Sequence, residues 1–83
     1  NPNPNKKYFK ISPNPFQTEI KIINPDYDND IYYEIFDLNG RMVKSGISAV
    51  NKSIKIDNIM NGIYFIKIKF DNRIESHRII KAS

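Results

Sequence analysis

Side chains that could take part in catalysis are few in this sequence, and a single histidine stands among them. His77 directly follows Glu75 and Ser76, which supplies the residue types of a Ser-His-acid relay. Adjacent side chains of a β-strand point to opposite faces, however, so a relay within this stretch is disfavoured. The sequence predicts an exposed strand histidine. With no cysteine and no second histidine, His77 does not match the usual spacing of a metal site.

A second candidate for chemistry is an alternating group of acidic residues. Asp26, Asp28 and Asp30 resemble the start of a calcium-binding loop. Ile31 then stands where the sharp turn of that loop requires glycine. Two interpretations stay open at this point, a solvated loop over residues 24–30 and a weak calcium site.

The glycines do not form a phosphate-binding loop. Gly40, Gly46 and Gly62 are scattered singly at predicted turns, whereas such a loop needs several glycines close together. No catalytic residue, metal ligand or cofactor site is therefore predicted, and we expect that the chain is not an enzyme.

The positive charge does not indicate a nucleic-acid partner. The chain carries a net charge of +4 with a pI near 9.4. Lys21, Lys55, Lys67 and Lys69 each stand between apolar neighbours, which is typical of the solvent face of a half-buried strand. A nucleic-acid interface would cluster basic and aromatic residues on one surface. Apolar runs of about four residues are also far too short to insert stably in a membrane.

The aromatic residues leave one binding function open. The chain has five tyrosines and five phenylalanines. Tyr33, Tyr64 and Phe70 fall on predicted inward positions. The predicted exposed aromatics are Tyr27, Tyr32 and Phe65. Exposed aromatic rings can form a platform for sugars, so a carbohydrate-binding or adhesive module is an alternative function.

Apolar residues recur with a period of two almost throughout, which predicts an all-β domain. The predicted strands are 8–11, 19–23, 31–36, 41–47, 53–57, 63–70 and a seventh that ends near Lys81. Gly46 is expected to mark a bulge or bend. Seven short strands predict an antiparallel β-sandwich of the immunoglobulin type, with a closed small barrel as the alternative. Residues 1–7 form a polar Asn-Pro tract, predicted to be a flexible or polyproline-like linker to a folded domain over residues 8–83.

Three segments combine residues that shape the backbone with strand-forming side chains. Pro13 and Pro15 have no backbone N–H, so they predict an extended corner that cannot join a ladder. Asn39-Gly40 predicts a tight hairpin with positive φ at the glycine. Gly62 precedes the longest alternating run.

In this order, the segments resemble the type A C-terminal sorting domain of the type IX (Por) secretion system. The resemblance extends from about residue 8 to residue 81. The matching positions are Pro13-Asn14-Pro15-Phe16, then Ile35, Phe36, Asp37, Gly40, Arg41 and Val43, then Gly62, Tyr64, Ile66 and Ile68, and finally Arg78-Ile79-Ile80-Lys81.

The resemblance implies a recognition domain at the end of a secreted cargo protein of a Gram-negative bacterium. The cargo would pass through the periplasm and then cross the outer membrane through the type IX translocon. It would end at the cell surface or in the medium. A sortase-like protease would remove the domain, with cleavage in the linker at residues 1–7. The cargo would often then be joined to an anionic lipopolysaccharide.

The recognised surface is expected on the last strand, from residue 74 to residue 81, because a terminal strand offers an edge for strand pairing. Its predicted recognition residues are Arg78, Ile79, Ile80 and Lys81. The other motif residues are expected to be mainly structural: Pro13, Asn14, Pro15, Asp37, Gly40, Arg41, Gly62 and Tyr64. A structural spacer domain is a further alternative.

Overall fold

The computed structural model describes residues 7–82, which form seven strands and no helix. All of the predicted linker except Lys7 lies outside the described residues, and so does Ser83. The strands are β1 (Lys10–Ser12), β2 (Glu19–Ile23), β3 (Asp30–Phe36), β4 (Met42–Ala49), β5 (Ser53–Lys55), β6 (Gly62–Phe70) and β7 (Arg73–Lys81).

The strands form two antiparallel sheets that pack face to face. The smaller sheet has the order β1-β2-β5, and the larger has the order β4-β3-β6-β7. This arrangement confirms the predicted all-β sandwich. The alternative of a closed barrel is wrong, because the strands divide into two separate sheets rather than one continuous one.

The core lies between the two sheets and is built mainly from isoleucine. In β6 the inward residues Tyr64, Ile66, Ile68 and Phe70 are buried while the residues between them are exposed. β3 follows the same pattern through Ile31, Tyr33 and Ile35. The period of two in the sequence therefore gave the correct inward face for both central strands.

The first strand starts later than the sequence predicts. Tyr8 and Phe9 were expected to begin it, but their backbone N–H groups donate to the Glu75 carboxylate at 2.7 and 2.9 Å. These donors are satisfied by a side chain and not by a neighbouring strand. The ladder therefore begins at Lys10.

Gly46 was expected to mark a bulge or bend, and the structure shows no bulge there. Gly46 pairs regularly with Tyr33, and the register shift lies between the pairs Ile35–Lys44 and Phe36–Met42. A Cβ atom at Gly46 would lie 3.1 Å from the Tyr33 hydroxyl oxygen. The glycine thus provides space for the tyrosine side chain rather than a change in the backbone.

Tyr27 was expected to be exposed, and it is instead buried. It packs edge-to-face against Tyr8, Phe9 and Phe70, and its hydroxyl donates to Asp71 at 3.3 Å. Burial, followed by the nearby Asp71 charge, raises the pKa of Tyr27. Tyr27 lies in a loop, where side chains do not alternate between two faces. Its burial depends on rings that are distant in the sequence, so the sequence pattern could not predict it.

Candidate functional site: the last strand and the motif end

The side chain of Asn14 bonds to the backbone of β7 as a neighbouring strand would. Its Oδ1 accepts the N–H of Ile80 at 2.9 Å, and its Nδ2 donates to the carbonyl of Arg78 at 3.1 Å. Pro13 and Pro15, on either side, have no N–H to offer a ladder. A side-chain amide, which has both a donor and an acceptor, therefore pairs with β7 where the backbone cannot.

Phe16 continues this pairing toward the C-terminus. Its N–H donates to the Ile80 carbonyl at 2.8 Å, and its carbonyl accepts the N–H of Ala82 at 2.9 Å. The Phe16 side chain is fully buried in the core. From Arg78 to Ala82, the outer edge of the last strand is thus occupied by Asn14 and Phe16 of the same chain.

Glu75 connects the start of the described chain to the middle of β7. Besides the N–H groups of Tyr8 and Phe9, its Oε2 lies 2.6 Å from Nε2 of His77. The two side chains are only 10% and 14% exposed, so the prediction of an exposed histidine is wrong. They share a face because they are two residues apart on a strand.

The same alternation separates Ser76 from this pair. Ser76 is exposed and lies on the opposite face of β7 from Glu75 and His77. The three residues of the hypothetical relay are therefore not brought together. Glu75 instead holds the backbone at residues 8 and 9, and His77 is hydrogen-bonded to Glu75.

The four predicted recognition residues divide between the two faces of β7. Ile79 is fully buried, and Lys81 is only 8% exposed. Arg78 is exposed and Ile80 is partly exposed, and both lie on the outer face of the larger sheet. Among residues 7–82 no carboxylate forms an ion pair with Arg78. Arg78 and Ile80 are therefore the two that a partner can reach.

The predicted hairpin forms, and Asp37 stabilises it. Gly40 has φ of 82°, and its N–H donates to the Asp37 carbonyl at 3.0 Å. The Asp37 carboxylate accepts the N–H groups of Asn39 and Arg41, each at 2.9 Å. The hydrogen bond from the Arg41 backbone is the main cause that lowers the pKa of Asp37, and burial opposes it.

Gly62 and Tyr64 serve the start of β6. Gly62 has φ of 151°, in the region that favours glycine. Tyr64 is buried, and its hydroxyl donates to the carbonyl of Met60 at 2.6 Å. The tyrosine thereby fixes the loop that leads into the strand.

The strand register brings all the motif segments to one end of the larger sheet. Gly62 pairs with Lys81, and Tyr64 pairs with Ile79. Phe36, directly before the hairpin, pairs with both Phe65 and Met42. We call this region the motif end: residues 14–16, 36–42, 62–65 and 78–82. The sequence identified the motif segments, but it did not predict that they lie together at one end of the sheet.

Two other candidate sites are not assembled. Within residues 7–82 no group of three or more His, Asp or Glu side chains is arranged to hold a metal ion, so Asp26, Asp28 and Asp30 do not form a ligand set. Of the aromatics expected at the surface, Tyr32 and Phe65 lie on the outer face of the larger sheet, but Tyr27 does not join them. No helix among these residues is long and apolar enough to cross a bilayer.

Comparison with known families decides the classification. The family model described as secretion system C-terminal sorting domain matches residues 1–82. The chain belongs to this family. Among curated proteins no sequence matches the chain.

The sorting domain is thus a C-terminal signal for type IX secretion, which confirms the resemblance found in the sequence motifs. Membership implies that the protein interacts with the type IX system and reaches the cell surface or the exterior. The family is one of sorting signals, which are not catalysts.

Proposed function

We propose that this sorting domain is the folded address of an upstream cargo in the same chain. It directs that cargo from the periplasm through the outer-membrane translocon. The observation that supports this most strongly is the gathering of all its family motifs at the motif end of one compact sandwich. The exposed residues of these motifs, such as Asn14, Arg41 and Arg78, thus lie at one end of the domain, where one partner could contact them.

Within the motif end, Arg78 is the proposed contact residue, with Ile80 beside it. Both side chains lie on the outer face, and the Arg78 guanidinium has no ion-pair partner among residues 7–82. An unpaired guanidinium can bind a carboxylate through two parallel hydrogen bonds. Ile79 and Lys81, the other two predicted recognition residues, are buried and contribute by holding β7 in register with β6.

A sortase-like protease is proposed to remove the domain after export. Cleavage would fall in residues 1–7, which precede Tyr8 and Phe9, the residues whose backbone N–H groups donate to Glu75. A site outside these contacts can be cut without unfolding the sandwich. The domain itself is proposed to have no catalytic activity.

A fusion experiment tests the proposal. Residues 1–83 are joined to the C-terminus of a fluorescent protein that carries a periplasmic targeting signal, in a host with a type IX system. We expect the fluorescence at the cell surface or in the medium, with loss of mass that approaches the 9.7 kDa of the chain. The same reporter without residues 1–83 is the control and should stay in the periplasm.

Retention of a folded, full-length fusion in the periplasm would contradict the sorting function. A carbohydrate-binding or adhesive module would then be the better hypothesis. Export without loss of mass would contradict only the proposed cleavage.

A further inference from the structure

We propose that the outer edge of β4 is a docking site for an extended peptide segment of the export machinery, which adds to the larger sheet as a fifth strand. The inference rests on the proposed function and deepens it. It depends on which sheet edges the fold leaves open, because an unpaired edge presents N–H and C=O groups that can pair with another chain.

The edge at β7 is largely closed to such pairing. Asn14 and Phe16 occupy its C-terminal half through hydrogen bonds to Arg78, Ile80 and Ala82. In the N-terminal half Arg73 is an exposed charged residue, and Glu75 is bonded to the backbone of Tyr8 and Phe9. Charged side chains protect an edge from pairing. The terminal strand is thus a poor template, although the sequence alone suggested it.

The smaller sheet offers no better edge. Its outer strands, β1 and β5, are three residues long each. A strand of that length can form only a few backbone hydrogen bonds with a partner.

β4 has the opposite properties. It is eight residues long and pairs only with β3, and no backbone hydrogen bond to residues 7–82 is formed along its other edge. Pairing with β3 is regular from Lys44 to Ala49, since the register shift is confined to the end near the hairpin. A regular edge of this length extends about 20 Å.

The side chains of β4 give its edge little of the usual protection. The strand contains no proline and one charged residue, Lys44. Ile47 is 74% exposed, and Met42 and Val43 are also exposed. Ile47 borders an open groove of about 480 Å³ that is also lined by Tyr32 and Phe70. Such an edge would be a risk for aggregation if nothing covered it.

Charge indicates what the occupant should be. Lys44 forms no ion pair among residues 7–82, and the whole chain carries a net charge of +4. A second copy of the chain would bring two equal positive charges together. A segment with an acidic residue opposite Lys44 and an apolar residue beside Ile47 would instead complement both side chains.

The experiment uses the fusion of residues 1–83 to the periplasm-targeted fluorescent protein. Ile47→Lys places a charge at the β4 edge, and we expect export to fall roughly tenfold. Ile74→Lys is the matched control, because Ile74 is 64% exposed on the same face of the sheet but lies on β7. Export of the control should stay near that of the unchanged fusion, and both variants should melt near the unchanged domain.

A second pair of variants tests the charge. Lys44→Glu should also lower export, whereas Lys55→Glu, on the smaller sheet, makes the same change in net charge and should not. Equal export of all four variants and the unchanged fusion would overturn the β4 site while leaving the sorting function intact. Failure of the unchanged fusion to leave the periplasm would overturn both.

The purified domain provides a further check by light scattering. We expect a monomer at the concentrations used for melting. A dimer that Ile47→Lys dissociates and Ile74→Lys does not would make a second copy the occupant and would overturn the proposal as stated.

Discussion

Asn14 and Ile80 are 66 positions apart in the chain and are joined by a hydrogen bond of 2.9 Å from the Ile80 N–H to the Asn14 Oδ1. With the second bond from Asn14 to the Arg78 carbonyl, one amide side chain pairs with two backbone groups of the last strand. The asparagine between the two prolines therefore attaches the start of the domain to its last strand.

Replacement of Asn14 by alanine should destabilise the domain by about 1 kcal/mol, because both hydrogen bonds are lost and the strand edge is left to water. Denaturant unfolding measures the change, and amide exchange at Ile80 should become faster. Asn58→Ala is the control, since Asn58 is exposed and forms no hydrogen bond in the described structure. Equal stability of the two variants would show that the Asn14 bonds contribute nothing.

Replacement of Glu75 by glutamine should lower the free energy of unfolding by about 1 to 3 kcal/mol. The carboxylate accepts hydrogen bonds from Tyr8, Phe9 and His77. In glutamine one of the two oxygens is replaced by an NH2 group, which is itself a donor and cannot accept from these N–H groups. The backbone amide hydrogens of Tyr8 and Phe9 should also exchange faster with solvent. Ser76→Ala, on the opposite face, should change the free energy of unfolding by less than about 0.5 kcal/mol. Unchanged exchange at residues 8 and 9 in the Gln variant would refute the role of Glu75.

Gly40→Val should lower stability by roughly 1 kcal/mol or more, because a β-branched residue at φ of 82° is strained. The space around Gly40 is open, so a loss of stability reports the backbone conformation and not a steric clash. Asn39→Val, at a neighbouring position without positive φ, is the control. A Gly40 variant that melts like the control would mean that the turn does not require glycine.

The lowered pKa of Asp37 predicts a dependence of stability on acid. A carboxyl group with a folded pKa below its usual 3.8 adds stability that is fully present above that value. This contribution is lost as the pH falls through the folded pKa. Unfolding of the domain and of Asp37→Asn should therefore differ most near neutral pH and converge in acid. A constant difference from pH 7 to strongly acidic solution would contradict the assignment.

Arg78→Ala should lower export of the fluorescent fusion with little change in melting, because the Arg78 side chain is exposed and forms no ion pair among the described residues. Arg73→Ala is the control, since it removes the same charge from β7 outside the motif end. Lys81→Ala should differ from both by lowering the melting temperature, because Lys81 is buried. Equal export for the two arginine variants would remove Arg78 from the recognised surface.

The local features of this domain could be predicted from its amino-acid sequence. Alternation of apolar residues predicted the strands and placed Tyr33, Tyr64 and Phe70 on the inward face, because a strand has a side-chain period of two. The requirement for positive φ located the turn at Gly40. The order of the motifs gave the family.

The contacts between residues far apart in the chain could not be predicted and were found in the folded domain. Neither the pairing of Asn14 with Ile80 nor the bonds from Tyr8 and Phe9 to Glu75 leave a periodic signal, since each joins groups more than sixty positions apart. The burial of Tyr27, His77 and Lys81 likewise depends on what packs over them. Alternation indicates the face of the sheet on which a side chain lies. Whether that face is covered, and which sheet edge stays open, depends on where segments distant in the sequence pack.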